Sequence, residues 1–126
     1  MTNTSSGDLP DEIAPDGSEV RHLARTDRGS MAEFRLPAGA TTQAVVHRTV
    51  DELWFVASGS GELWRRSDVG EAVTVLPAGA SVSIVCGTSF QFRNVAADDL
   101  RIVGVTMPPW PGDDEAIVVE NYWPTD

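Results

Sequence analysis

The sequence contains no lysine. That removes Schiff-base catalysis, pyridoxal phosphate attachment and any phosphate-binding P-loop, all of which need a lysine amine. It contains one cysteine, Cys86, so no disulfide can form within the chain, and a reducing compartment is expected. Cys86 has no base near it in sequence and reads as a buried, inert thiol. No run approaches the roughly 20 apolar residues of a membrane-spanning helix. There is no Cys-x-x-Cys pair and no dinucleotide-binding glycine fingerprint. Ser58-Gly59-Ser60-Gly61 has the wrong spacing for a nucleophile elbow and reads as a hairpin turn. Met1–Ser18 has neither a basic start nor an apolar core, so it does not read as a signal peptide, and a cytoplasmic location is the expectation.

Positive charge is scarce. Nine basic residues, all arginine, stand against 19 acids, for a formal net charge of -10. A nucleic-acid surface and a membrane partner are therefore not expected. The arginines all lie between Arg21 and Arg101, where the acids nearly balance them. The excess acidity sits at the ends, in Asp8, Asp11, Glu12 and Asp16 and in Asp113, Asp114, Glu115, Glu120 and Asp126.

What remains is one domain of 126 residues, 41% hydrophobic, punctuated throughout by 11 glycines and 8 prolines. Residues 1–17 are rich in Ser, Asp, Pro and Gly and read as a flexible acidic segment. Residues 18–126 read as the folded domain, ending in a tail rich in Pro and Trp. Ten short segments alternate or are rich in β-branched and aromatic residues: 19–24, 31–36, 42–47, 52–57, 62–66, 71–76, 81–85, 90–94, 100–107 and 116–121. None shows a helical period. The fold class is all-β, a sandwich or small barrel of antiparallel strands. Leu36-Pro37-Ala38-Gly39-Ala40 recurs as Leu76-Pro77-Ala78-Gly79-Ala80, which predicts two related hairpin units.

From Gly39, five residues lead to Val45, one more to His47, four to Glu52 and six to Gly59. From Gly79, five lead to Val85, one to Gly87, two to Phe90 and three to Asn94. These spacings resemble the two motifs of the cupin family, over about residues 31–106. The resemblance implies a small single-domain cupin, a β-barrel or jelly roll of about ten strands. It also implies where a metal would sit, since the family holds one with three His and one Glu. Here His47 and Glu52 occupy their family positions, while Val45 and Phe90 stand where two histidines would be, and Val85 replaces the motif proline. The metal site is thus degenerate, no cofactor is expected, and His47 and Glu52 are the ligands should a metal be present.

Residues two apart in a strand share a face. Gln43, Val45 and His47 form one such set, Glu52, Trp54 and Val56 a second, Phe90, Phe92 and Asn94 a third. In the cupin barrel these faces look inward. The expected interior is an apolar pocket with one imidazole and one carboxyl, the usual make-up of a small-molecule site. The candidate catalytic residues are His47 and Glu52. The candidate ligand contacts are Met31, Gln43, Val45, Trp54, Phe90 and Phe92. Met31 shares its face with Glu33 and Arg35, which either rim the pocket or line a dimer contact. Trp110, in Pro108-Pro109-Trp110-Pro111, either packs over the barrel, crosses a dimer or closes the pocket, and Tyr122 and Trp123 latch the tail. Three functions stay open. One is a metal-independent biosynthetic enzyme, an isomerase, lyase or cyclase moving protons with the His/Glu pair. The second is a non-catalytic ligand-binding or sensor cupin, and the third a metal-dependent dioxygenase or isomerase. The expected partners are a small apolar organic molecule and a second copy of the chain, since the uncovered sheet surfaces point to a homodimer.

Overall fold

A computed structural model describes residues 1–125; Asp126, the last residue of the expected folded domain, lies outside the described residues. The strands are β1 (Glu12–Ile13), β2 (Glu19–Arg25), β3 (Ser30–Leu36), β4 (Val45–His47), β5 (Asp51–Ser58), β6 (Ser60–Ser67), β7 (Gly70–Pro77), β8 (Ser81–Ile84), β9 (Ser89–Arg93), β10 (Leu100–Met107) and β11 (Ala116–Val118). They form two antiparallel sheets, ordered β1-β2-β3-β10-β5-β8 and β11-β4-β9-β6-β7. A short 3₁₀ turn, Asp113–Glu115, is the sole helical piece among the described residues. The architecture is the jelly roll that the spacing implied. Each of the ten expected segments holds a strand, and β1 adds an eleventh within the acidic lead-in.

The core lies between the sheets because the strands alternate. On β5, Glu52, Trp54 and Val56 are buried, while Asp51, Leu53, Phe55 and Ala57 face out. Leu36, Leu63, Leu76, Leu100, Ile102 and Phe92 complete the centre. Each such side chain contributes about 1.5–3 kcal/mol by leaving water.

The repeated Leu-Pro-Ala-Gly-Ala segments do the same work in the two halves. The Gly39 N–H donates to the Asn94 carbonyl, and the Asn94 N–H donates back to Ala40. The Gly79 N–H donates to Val56, and the Val56 N–H donates back to Ala80. Each turn thus hooks its chain onto a strand distant in sequence. Both glycines have positive φ, 80° and 91°, which a side chain would penalise.

Two expected strands are shorter than their segments. Residues 42–44 leave the ladder because the Gln43 N–H donates to the Asp16 carbonyl and the Ala44 N–H to Asn121 Oδ1. At the other end, residues 119–123 leave β11 and cover the outer face of the smaller sheet. There Gln91 accepts from the Tyr122 and Trp123 N–H groups and donates to the Thr42 and Trp123 carbonyls. Tyr122 stacks on Trp64 at 5.3 Å, and the Arg93 guanidinium lies 4.3 Å from the Trp123 ring centre.

Candidate functional site

A cavity of about 150 Å³ opens between the sheets. Its walls come from both layers: Ala32 and Phe34 of β3, Val45 and His47 of β4, Glu52 and Trp54 of β5, Phe90 and Phe92 of β9, Gly104 and Thr106 of β10. The aromatic rings brace one another. Trp54 meets Phe92 edge-on at 4.9 Å and Phe90 at 5.8 Å, and His47 meets Phe90 at 5.1 Å. Gly104 clears the space beside the carboxyl, since a Cβ there would lie 2.5 Å from Phe34 and 2.9 Å from Glu52 Oε2.

His47 Nδ1 lies 3.5 Å from Glu52 Oε1, with both side chains at least 95% buried. That is too long for a hydrogen bond. Burial drives the imidazole down from 6.5 to about 4, against the pull of the Glu115 carboxylate. Burial pushes the Glu52 carboxyl up from 4.5 to about 8, against the Trp54 indole N–H and with a lesser push from Asp16. At neutral pH both groups are therefore uncharged, and the pair carries one acidic proton, on the carboxyl. The Trp54 Nε1–H lies near enough to Glu52 to be felt, yet neither it nor His47 Nδ1 makes a hydrogen bond of ordinary geometry. Such unpaired buried groups each cost about 1–3 kcal/mol.

Of the residues singled out from sequence, His47, Glu52, Val45, Trp54, Phe90 and Phe92 line this cavity, and Met31 reaches it from a partly exposed position. Gln43 does not line it. The ladder break at residues 42–44 shifts the alternation, so Gln43 points to the tail, where its amide donates to the Val119 carbonyl and Asn121 Oδ1. Glu33 and Arg35 do not rim the cavity either. Glu33 is buried on the opposite face, held by Arg35 and Arg101, and these contacts outweigh burial to hold its carboxyl at about 2. Cys86 is half-exposed rather than buried, in a turn where its thiol lies 3.2 Å from the Arg48 carbonyl. Trp110 stands over the cavity with its ring 5.2 Å from His47, anchored by its N–H to Ser30 Oγ.

Several contributors escaped the sequence reading, Ala32, Phe34, Gly104 and Thr106 of the walls among them. Ala14, Pro15 and Asp16 of the acidic segment line the cavity. Burial raises the Asp16 carboxyl even though the Ser18 N–H and hydroxyl both donate to it. Glu115, beside His47, accepts from the Thr49 hydroxyl and the Thr49 and Val50 N–H groups; burial would raise its carboxyl, but these bonds hold it low. It ties the strand of chain carrying Trp110 to the barrel.

A two-layered antiparallel jelly roll closed around one aromatic cavity defines the class of protein. The cupin domain model matches residues 32–106, and the chain belongs to the cupin family. It is 25% identical over 111 residues to an uncharacterized protein of Methanocaldococcus jannaschii, covering 84% of this chain and 86% of that one. The fold is similar to KdgF from Halomonas sp., with a TM-score of 0.72 at 15% identity, covering 87% of this chain and 97% of that one. It is also similar to a predicted oxalate decarboxylase from Thermotoga maritima, with a TM-score of 0.70 at 20% identity, covering 86% and 99% of the two chains.

The residues present do not fit the family's metal. A transition-metal site takes about three protein ligands or more. Val45 and Phe90 bring none, the Phe90 ring packs against His47, and among the described residues no group of three or more His, Cys, Asp or Glu side chains could hold an ion. Among the described residues no helix is long and apolar enough to cross a membrane.

Proposed function

We propose that the cavity is the site of a metal-independent acid–base enzyme acting on a small organic molecule. The observation that carries this reading is the buried His47–Glu52 pair at 3.5 Å, facing an aromatic cavity with no other partner for Nδ1. A neutral imidazole can take a proton and a neutral carboxyl can give one. In a single step Glu52 donates its proton to a ligand oxygen or leaving group while His47 removes one from carbon. The products are a carboxylate and an imidazolium, which attract each other across the same gap, so the step creates no net charge. Isomerisation, elimination and cyclisation all fit that exchange. A cavity of about 150 Å³ matches one that takes up a benzene-sized ring, so the reacting part of the substrate is about that size.

Deuterium uptake from D₂O into the activated C–H bonds of a panel of ring-sized compounds tests this reading. Wild-type protein accelerates uptake into at least one of them. His47→Ala and Glu52→Gln each lower the rate by about a hundredfold to ten-thousandfold, while binding of the compound persists. Binding without exchange in the wild-type protein overturns the enzymatic reading in favour of a non-catalytic ligand-binding cupin.

A further inference from the structure

Asp16 is a carboxyl in an unexpected place. It comes from the acidic lead-in, yet it lines the same cavity as Glu52. The turn that carries it is fixed at several points. The Ala14 N–H donates to the Ser18 carbonyl, the Gly17 N–H to Ala14, and the Gln43 N–H to the carbonyl of Asp16 itself. Ser18 donates twice to Asp16 Oδ1, at 2.9 and 2.7 Å, which sets the direction of the side chain.

The charges around this carboxyl do not balance. Among the described residues, the sole basic group within ion-pair distance of Asp16 or Glu52 is His47, against Glu52. At the cavity mouth His22 is already paired with Glu12, at 2.6 Å. Arg25 also lines the mouth but is exposed to water. Glu115, on the far side of His47, adds a further negative charge. Glu52, 3% exposed, lines the cavity with no hydrogen-bonded partner among the described residues. Phe34, Trp54, Phe90, Phe92 and Trp110 supply aromatic parts of the wall. Aromatic faces carry negative potential and attract cations, most of all where water is excluded.

We propose that the cavity takes a small organic ammonium ion, with Asp16 as its counter-charge and the aromatic walls around its apolar body. This rests on the reading of the cavity as a substrate site, and it names the class of substrate. It also separates two roles: Asp16 holds the ammonium, while His47 and Glu52 move protons. The ammonium supplies the positive charge that the protein does not. Burial raises the Asp16 carboxyl, and a cation beside it favours the ionised form that burial disfavours.

Isothermal titration with three probes of one size tests the proposal: cyclohexylammonium, cyclohexanol and cyclohexanecarboxylate. The ammonium is expected to bind roughly tenfold or more tightly than the alcohol, and the carboxylate most weakly. Asp16→Asn keeps the acceptor oxygen for Ser18 and so preserves the turn, but it should erase the preference for the ammonium. Equal binding of alcohol and ammonium, strongest binding of the carboxylate, or an ammonium preference that survives Asp16→Asn overturns the proposal. Its failure is distinct from failure of the acid–base reading. An ammonium preference that needs Asp16, in a protein that exchanges no carbon-bound hydrogen, keeps the ligand class and removes the chemistry. Exchange that needs His47, without ammonium preference, does the reverse.

Discussion

Glu52→Gln should flatten the stability of this protein between pH 6.5 and 8. In the folded chain the Glu52 carboxyl is raised from 4.5 to about 8 by burial. Folded protein therefore holds a proton there that unfolded protein releases. Its stabilising effect is full below pH 4.5 and is lost as pH rises toward 8. His47 behaves oppositely. Burial lowers it from 6.5 to about 4, so its effect is full above pH 6.5 and is lost as pH falls through that range. Between pH 4.5 and 6.5 the two slopes oppose and largely cancel. Of this pair, only Glu52 still contributes a slope above 6.5, about 1.4 kcal/mol per pH unit. Over the following 1.5 units or so it amounts to about 2 kcal/mol. Guanidinium chloride unfolding at pH 6.5 and 8.0 measures this directly, since a lower midpoint at unchanged slope is a loss of stability. The wild-type protein is expected to lose about 2 kcal/mol, and the nearly isosteric Glu52→Gln variant to lose little of it. A wild-type protein equally stable at both pH values, or a variant with the same decline, would refute the account of the buried pair.

Two further outcomes follow from the same geometry. Gly104→Ala puts a methyl group against Phe34 and Glu52 Oε2, which should cost about 1–3 kcal/mol by overpacking and shrink the cavity; an unchanged melting temperature together with unchanged ligand binding would contradict the placement of that carboxyl. Leu53 and Phe55 lie on the outer face of β5, 49% and 51% exposed, beside Val103 and Val105 of β10. That apolar stripe is expected to be covered by a second copy of the chain, so light scattering at tens of micromolar should return the mass of a dimer, and the mass of one chain would count against it.

The barrel was legible because its signals are local. Alternation on β5 put Glu52, Trp54 and Val56 on one face, and the structure keeps them there. Phe90 and Phe92 followed the same rule on β9. The rule failed at Gln43, where backbone donors are taken by groups far away in sequence, Asp16 and Asn121, so no local pattern could mark the shift. Asp16 was hidden for a related reason. Its neighbours are acidic, small and turn-forming, which is the composition of a solvated segment, and the β1–β2 pairing together with the long-range bond to Gln43 brings it to the cavity. Trp110 carried a partial signal, because an indole between prolines is costly to leave in water.

The cupin match ends at residues 32 and 106, yet Asp16 and Trp110, which line the cavity, both lie outside it. On the proposed reading the shared barrel supplies the reacting pair, and the flanking chain supplies part of the cavity lining. These two parts are free to change at different rates. A relative could keep His47 and Glu52 at their barrel positions and admit another molecule merely by carrying different flanks. Sorting such relatives by barrel similarity would then group their chemistry while mixing their substrates, and the segments on either side of the match would be the better guide to what each one accepts.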